Sequence, residues 1–142
     1  VFPIFSTSVE TPAIARVIRV MQRSKVASLI DHAGVYNCRR ISGSSTFSQH
    51  AWGNAVDLFP RGSADNADEA CERIARAVVL QATQRTVANR GRRIPAAEVI
   101  DHQNGRIWTP SRGWHAYGGT RGPHVHVSGA PLRTGTPPCA GG

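Results

Sequence analysis

The feature that most constrains this chain is a carboxylate inside an apolar run, Ala55-Val56-Asp57-Leu58-Phe59. The run has the length and composition of a short buried strand, closed by Pro60. A carboxylate removed from water at such a place needs a hydrogen-bonding partner, an opposite charge or a metal ion. Any fold available to this sequence must therefore deliver a partner to Asp57. The plainest alternative is a paired carboxylate at the end of a strand.

Histidines supply the matching chemistry. His124-Val125-His126-Val127-Ser128 alternates strictly. On a strand, residues i and i+2 share a face, so both imidazoles aim at one region while Val125 and Val127 point toward a core. Neutral imidazole is a common metal ligand, although an isolated pair of this kind is more often a pair of surface or core histidines. His50 precedes Asp57 by seven residues. In one straight strand that odd separation sends the two to opposite faces, and Gly53-Asn54 argues against a continuous helix. A turn at Gly53-Asn54 reconciles them, with His50 before it and Asp57 on the strand after it. Two His and one Asp form a three-ligand set with an open fourth position, the pattern of catalytic rather than structural zinc. Zinc there lowers the pKa of its bound water to about 7 and polarises a carbonyl. A proton-transfer group is also needed, and of His124 and His126 the one that does not bind metal is suitably placed. Strand geometry does not decide which.

The rest of the chain predicts an α+β fold: a small antiparallel sheet carrying the metal site, flanked by two to three helices. A length of 142 residues suits one domain, here residues 1–130, with 131–142 as a Gly/Pro-rich tail or linker. Thr11-Pro12 is a helix start, followed by Ile14, Val17, Ile18 and Met21 on one face. A second helical piece is predicted from Ser24 to Ala33, with Gly34 as a left-handed cap, then a strand from Tyr36 to Ile41. Asn66 opens a long helix to about Asn89, stopped at Gly91. Strands at Glu98–Asp101 and Arg106–Thr109 are joined across an Asn104-Gly105 turn. The final strand is His124–Ser128.

Seventeen Lys and Arg against nine Asp and Glu give a net charge of +8. Such a surface attracts polyanions, including an anionic cell wall. The cations are scattered, with no run longer than a pair such as Arg39-Arg40 or Arg92-Arg93. Clustered basic residues beside stacking aromatics are missing, which argues against a specific nucleic-acid partner. No apolar run reaches the roughly 20 residues of a membrane span. The start, VFPIFSTSVE, has neither the basic nor the apolar region of a signal peptide and no initiator Met. It reads as a domain excised from a longer protein or as a processed product. Cys38 and Cys71 are able to pair, Cys139 lies in the tail, and the odd count does not support a disulfide framework.

Ser48-x-His50-x-x-Gly53-x-Ala55-x-Asp57, followed by His124-x-His126, resembles the zinc D-Ala-D-Ala carboxypeptidases and the related phage endolysin L-Ala-D-Glu peptidases. The stretch Val99 to Ser128, with Gly105-Arg106-Ile107-Trp108, Gly113-Trp114 and Tyr117-Gly118, looks like the corresponding part of actinobacteriophage lysins. The resemblance covers residues 35–57 and 99–128, less than half the chain. It implies one zinc ion held by His50, Asp57 and His126, with His124 assisting catalysis. Other branches of that family carry a Glu three residues before the last ligand; here Pro123 stands there, so that route to a general base is closed. An Arg upstream of the signature holds the substrate carboxylate in such enzymes. Arg39 and Arg40 are the candidates, with Arg40 favoured, since guanidinium binds carboxylate in a bidentate manner. Ser48 is expected to orient a ligand or touch substrate, and Trp52 to line the cleft. His115 is a second catalytic imidazole or a pocket wall. His102 is expected to be solvated, and His32 to complement a helix dipole.

The expectation from these readings is a monomeric, zinc-dependent peptidase that hydrolyses an amide bond of peptidoglycan stem peptides, as a phage or bacterial lysin domain does. It would act at the cell wall after synthesis in the cytoplasm and release by a route other than a signal peptide. A metal-dependent nuclease and a non-catalytic wall-binding module with a retained zinc are the alternatives.

Overall fold

The computed structural model describes residues 1–5 and 9–141. Helix α1 (Pro12–Arg23) starts where the sequence predicts. The Thr11 hydroxyl accepts from the Ile14 amide at 3.3 Å, and Pro12 occupies the first turn, where no amide hydrogen is missed. Ile14, Val17, Ile18 and Met21 form its buried face. Helix α2 (Ala67–Thr83) buries Ala70, Cys71, Ile74 and Val78.

Among the described residues, seven strands form one sheet: β1 (Ile4–Phe5), β2 (Ile30–Gly34), β3 (Ala55–Pro60), β4 (Ala96–Asp101), β5 (Arg106–Thr109), β6 (Gly113–Ala116) and β7 (Val125–Gly129). Their order is β1-β2-β3-β7-β4-β5-β6. The fold is thus mixed α and β, as expected, but the sheet is large rather than small. It is also mixed rather than antiparallel, because β1 runs parallel to β2. Both helices pack on one face, where Val56, Leu58, Val99, Val125 and Val127 meet the apolar sides of α1 and α2. Val125 and Val127 are fully buried, and each contributes about 2 kcal/mol of burial free energy. The pleat sends Asp57 and His126 to the other face, away from the helices.

Several predicted elements differ. Ser24–Ala33 is not a helix; it is a short 3-10 turn (Ala27–Leu29) leading into β2. The pairing of β2 with β3 slips between Ile30 and His32. That bulge places Ile30 and Ala33 both in the core, at a spacing of three that imitates a helix. Gly34 is not a left-handed cap but a strand residue opposite Asp57. Tyr36–Ile41 is no strand: it buries no side chain and makes a single bridge, Arg40 to Phe47. Helix α2 ends at Thr83 because the Asn89 amide donates to the carbonyls of Gln81 and Gln84, at 3.3 and 2.8 Å. Those oxygens are the ones a helix end leaves open.

Cys38 pairs with Cys139, not with Cys71. The 131–142 segment is therefore fastened to the body, and Gln49 and Arg133 add two hydrogen bonds, at 2.8 and 2.9 Å. Cys71 is a free, fully buried thiol. Burial, followed by the nearby Asp101 and Asp68 carboxylates, pushes its pKa up to about 12. Since the thiolate is the reactive form, a thiol reagent should detect no cysteine in the native protein and one after unfolding without reductant. A rapidly titrating native thiol would contradict this arrangement.

Candidate metal centre

β3 and β7 are neighbours, and their register sets Asp57 directly opposite His126. His50 arrives from the 3-10 turn Gln49–Trp52 above the sheet. The turn is pinned at both ends. At the front, the Ser48 hydroxyl accepts from the His50 amide at 3.3 Å. At the back, Gly53 adopts φ 67°, and a Cβ there would stand 2.0 Å from the Val9 carbonyl oxygen, so only glycine fits. Asn54 is buried and ties the turn to the end of β7. Its amide donates to Gln49 Oε1, the Gly129 carbonyl and the Pro131 carbonyl at 2.8, 3.0 and 3.2 Å.

His50 Nε2 lies 3.1 Å from Asp57 Oδ2, and His126 Nδ1 lies 3.2 Å from Asp57 Oδ1. The imidazoles stand nearly perpendicular, at 78°, with centroids 5.0 Å apart. One ligating atom from each of the three residues falls within 4.8 Å of the others. The His50 tautomer follows from its far nitrogen: Nδ1 is 2.5 Å from the Val35 carbonyl oxygen. A carbonyl only accepts, so Nδ1 carries the hydrogen and neutral His50 turns a lone pair toward Asp57. Nε2 is buried and, among the described residues, has no hydrogen-bond partner. A lone pair facing a carboxylate is repulsive unless a cation lies between them. Burial raises the pKa of Asp57, whereas protonated His126 and His50 rings donating to it lower it below the usual carboxylate range; with both rings neutral, a cation between the three groups does the same. Two imidazole nitrogens and a carboxylate that stays ionised are a donor set that can hold a divalent metal ion.

Two hollows of about 180 and 160 Å³ flank the triad. The larger reaches His126 and is walled by Ser48, Glu98, His102 and Tyr117. The smaller opens on His50 and Asp57 beside Gly34, whose missing side chain leaves that approach clear. Arg39 lines both. Arg40, favoured from sequence, lies with its guanidinium 4.9 Å from the centre of the Phe47 ring, because the segment is not a strand that could aim it at the site.

His124 sits on the same face as His126. Its ring stacks on His102 at 4.2 Å and leans on Phe59 at 5.5 Å. Burial, only partly countered by Asp57, pushes its pKa down to about 4, so the ring is neutral at pH 7. His102 is not solvated as predicted: it is buried, its Nδ1 is 2.7 Å from the Thr120 carbonyl oxygen, and burial lowers its pKa. Its place at the end of β4, alternating with Glu98 and Ile100, was the available signal.

The remaining predicted residues lie elsewhere. His115 is on β6 with Nδ1 on the Gly113 carbonyl at 2.9 Å. It shares the row of His126 across the sheet, but β4 and β5 intervene, a separation of about 14 Å at the usual strand spacing. Trp52 makes an edge contact with Phe47 at 6.5 Å and lines neither hollow. His32 is on β2, stacked on Phe59 at 4.4 Å, and complements no helix.

Residues 8–67 match the family described as Extensin-like protein C-terminus. The matched region includes His50 and Asp57 and stops before His126. No curated protein and no solved structure matches the chain.

Proposed function

We propose that this chain is a zinc-dependent peptidase that hydrolyses an amide bond in peptidoglycan stem peptides. The observation that carries the reading is the convergence of His50 Nε2, the Asp57 carboxylate and His126 Nδ1, with a buried, unpartnered lone pair among them. His50, Asp57 and His126 would hold the zinc, which when bound supplies an activated water and a Lewis acid for the carbonyl oxygen. Neutral His124 stacks on His102, whose ring lies 6.2 Å from His126, and would carry the proton toward the leaving amine. Arg39, shared by both hollows, would hold a substrate carboxylate. The net charge of +8 favours approach to an anionic wall. The Cys38–Cys139 bridge suits a protein that works outside the reducing cytoplasm.

The test is digestion of purified cell walls with zinc-loaded protein, followed by mass spectrometry of the released muropeptides. The expected result is new free amino groups at one defined bond, abolished by chelation and restored by zinc. Wall binding without new amino groups would make the chain a binding module, and metal-dependent loss of nucleic acid would make it a nuclease; either overturns the proposal.

A further inference from the structure

The far nitrogen of His126 meets a second, separate set of groups. Strand β4 flanks β7 on the side away from β3, and its register places Glu98 opposite Ser128. Ser128 is fully buried. Its hydroxyl donates to Glu98 Oε1 at 2.9 Å, and its oxygen lies 2.7 Å from His126 Nε2. A hydroxyl has one hydrogen to give. With that hydrogen on Glu98, Ser128 can only accept from His126, so the imidazole hydrogen sits on Nε2. Nδ1 is then left with its lone pair facing Asp57 Oδ1 at 3.2 Å.

We infer that Glu98, acting through Ser128, is the positioning residue that fixes His126 as the Nδ1 ligand of the metal. The inference rests on the metal centre proposed above, but not on the reaction assigned to it. Glu98 Oε1 is 3.9 Å from His126 Nε2, so, besides walling the larger hollow, it meets the ligand on the nitrogen that does not face Asp57. The chain His126 Nε2–H to Ser128 Oγ–H to Glu98 fixes the ring's tautomer and its rotation together. It also places a carboxylate behind the imidazole, which makes that ring a stronger donor to a cation. The hydrogen bonds at His50 do the same work by another route, since the Val35 carbonyl fixes its hydrogen on Nδ1. The two imidazoles therefore present different nitrogens, Nε2 from His50 and Nδ1 from His126, each locked by an acceptor on its far side.

The experiment is zinc affinity by competition with a chromophoric chelator, for wild type, Ser128→Ala, Glu98→Ala and Glu98→Gln. Thermal unfolding of each metal-free protein is measured in parallel. Ser128→Ala and Glu98→Ala should weaken zinc binding about 10–100-fold, the usual cost of losing an outer partner of a ligand histidine. Glu98→Gln keeps an acceptor for the Ser128 hydroxyl and loses only the charge, so its loss should be smaller. In nitrogen-15 spectra of the zinc-loaded wild type, His126 should carry a slowly exchanging hydrogen on Nε2, and Ser128→Ala should make that exchange fast. Zinc affinity within twofold of wild type in both alanine variants would overturn the inference, whether or not their metal-free unfolding midpoints fall. Cell-wall digestion enters none of these readouts, so the relay and the peptidase assignment fail separately.

Discussion

Asp57→Ala should bind zinc at least 100-fold more weakly than wild type and should leave no measurable cell-wall digestion. The carboxylate touches both imidazoles, at 3.1 and 3.2 Å, so its loss removes the one anionic donor of the triad. The expected cost in affinity exceeds the 10–100-fold that follows loss of an outer partner. The cost in rate is about 10³-fold or more, since a bound metal supplies several kcal/mol to the transition state and each 1.36 kcal/mol is tenfold. The fold should survive. Asp57 projects from the side of β3 opposite Val56 and Leu58, which carry the packing against the helices. Thermal unfolding separates the effects: zinc at about 1,000 times its dissociation constant stabilises a protein by about 4 kcal/mol. Wild type should gain that shift, and Asp57→Ala should not. A folded Asp57→Ala protein that digests walls at the wild-type rate would rule out a catalytic centre at this site.

Cys139→Ser should lower stability by about 4 kcal/mol and the unfolding midpoint by on the order of 10 °C. The Cys38–Cys139 bridge spans 101 positions of a 142-residue chain. A crosslink closing so long a loop removes much of the freedom of the unfolded state. Cys38 also adjoins Arg39, in an exposed segment outside the sheet that makes one isolated bridge, Arg40 to Phe47. Opening the disulfide therefore loosens the segment that carries Arg39 past both hollows. Reduction of wild type with a phosphine that spares the zinc should reproduce the loss of stability. It should also raise KM for wall peptides more than it lowers kcat. An unfolding midpoint unchanged by Cys139→Ser would show that the bridge does not constrain the chain.

Two parts of the site were legible for a simple reason: strand alternation is a local rule. His124 and His126 on one face, Val125 and Val127 on the other, follow from the pleat alone, and the structure buries both valines. The Gly53-Asn54 turn was legible for a related reason, since a glycine at φ 67° reverses the chain whatever packs around it. The same local reasoning failed at Ile30–Ala33, where a bulge turned strand burial into an apparent helical period. It failed at Arg40 too, because a segment assigned to a strand pairs only through one isolated bridge, Arg40 to Phe47.

By itself, the sequence determined that Asp57 needed a compensating partner, that His50 and His126 had the chemistry to provide it, and that α1 would bury one apolar stripe. These are properties of residue type and short-range spacing. Only the tertiary structure decided that Cys38 joins Cys139, that Arg39 rather than Arg40 borders the triad, and that His115 stands three strands away. It alone set Glu98 and Ser128 behind His126, thirty residues apart in the chain and opposite one another in the sheet. Strand order and register set those outcomes, and they arise from packing of the whole sheet against its helices, which no local pattern encodes.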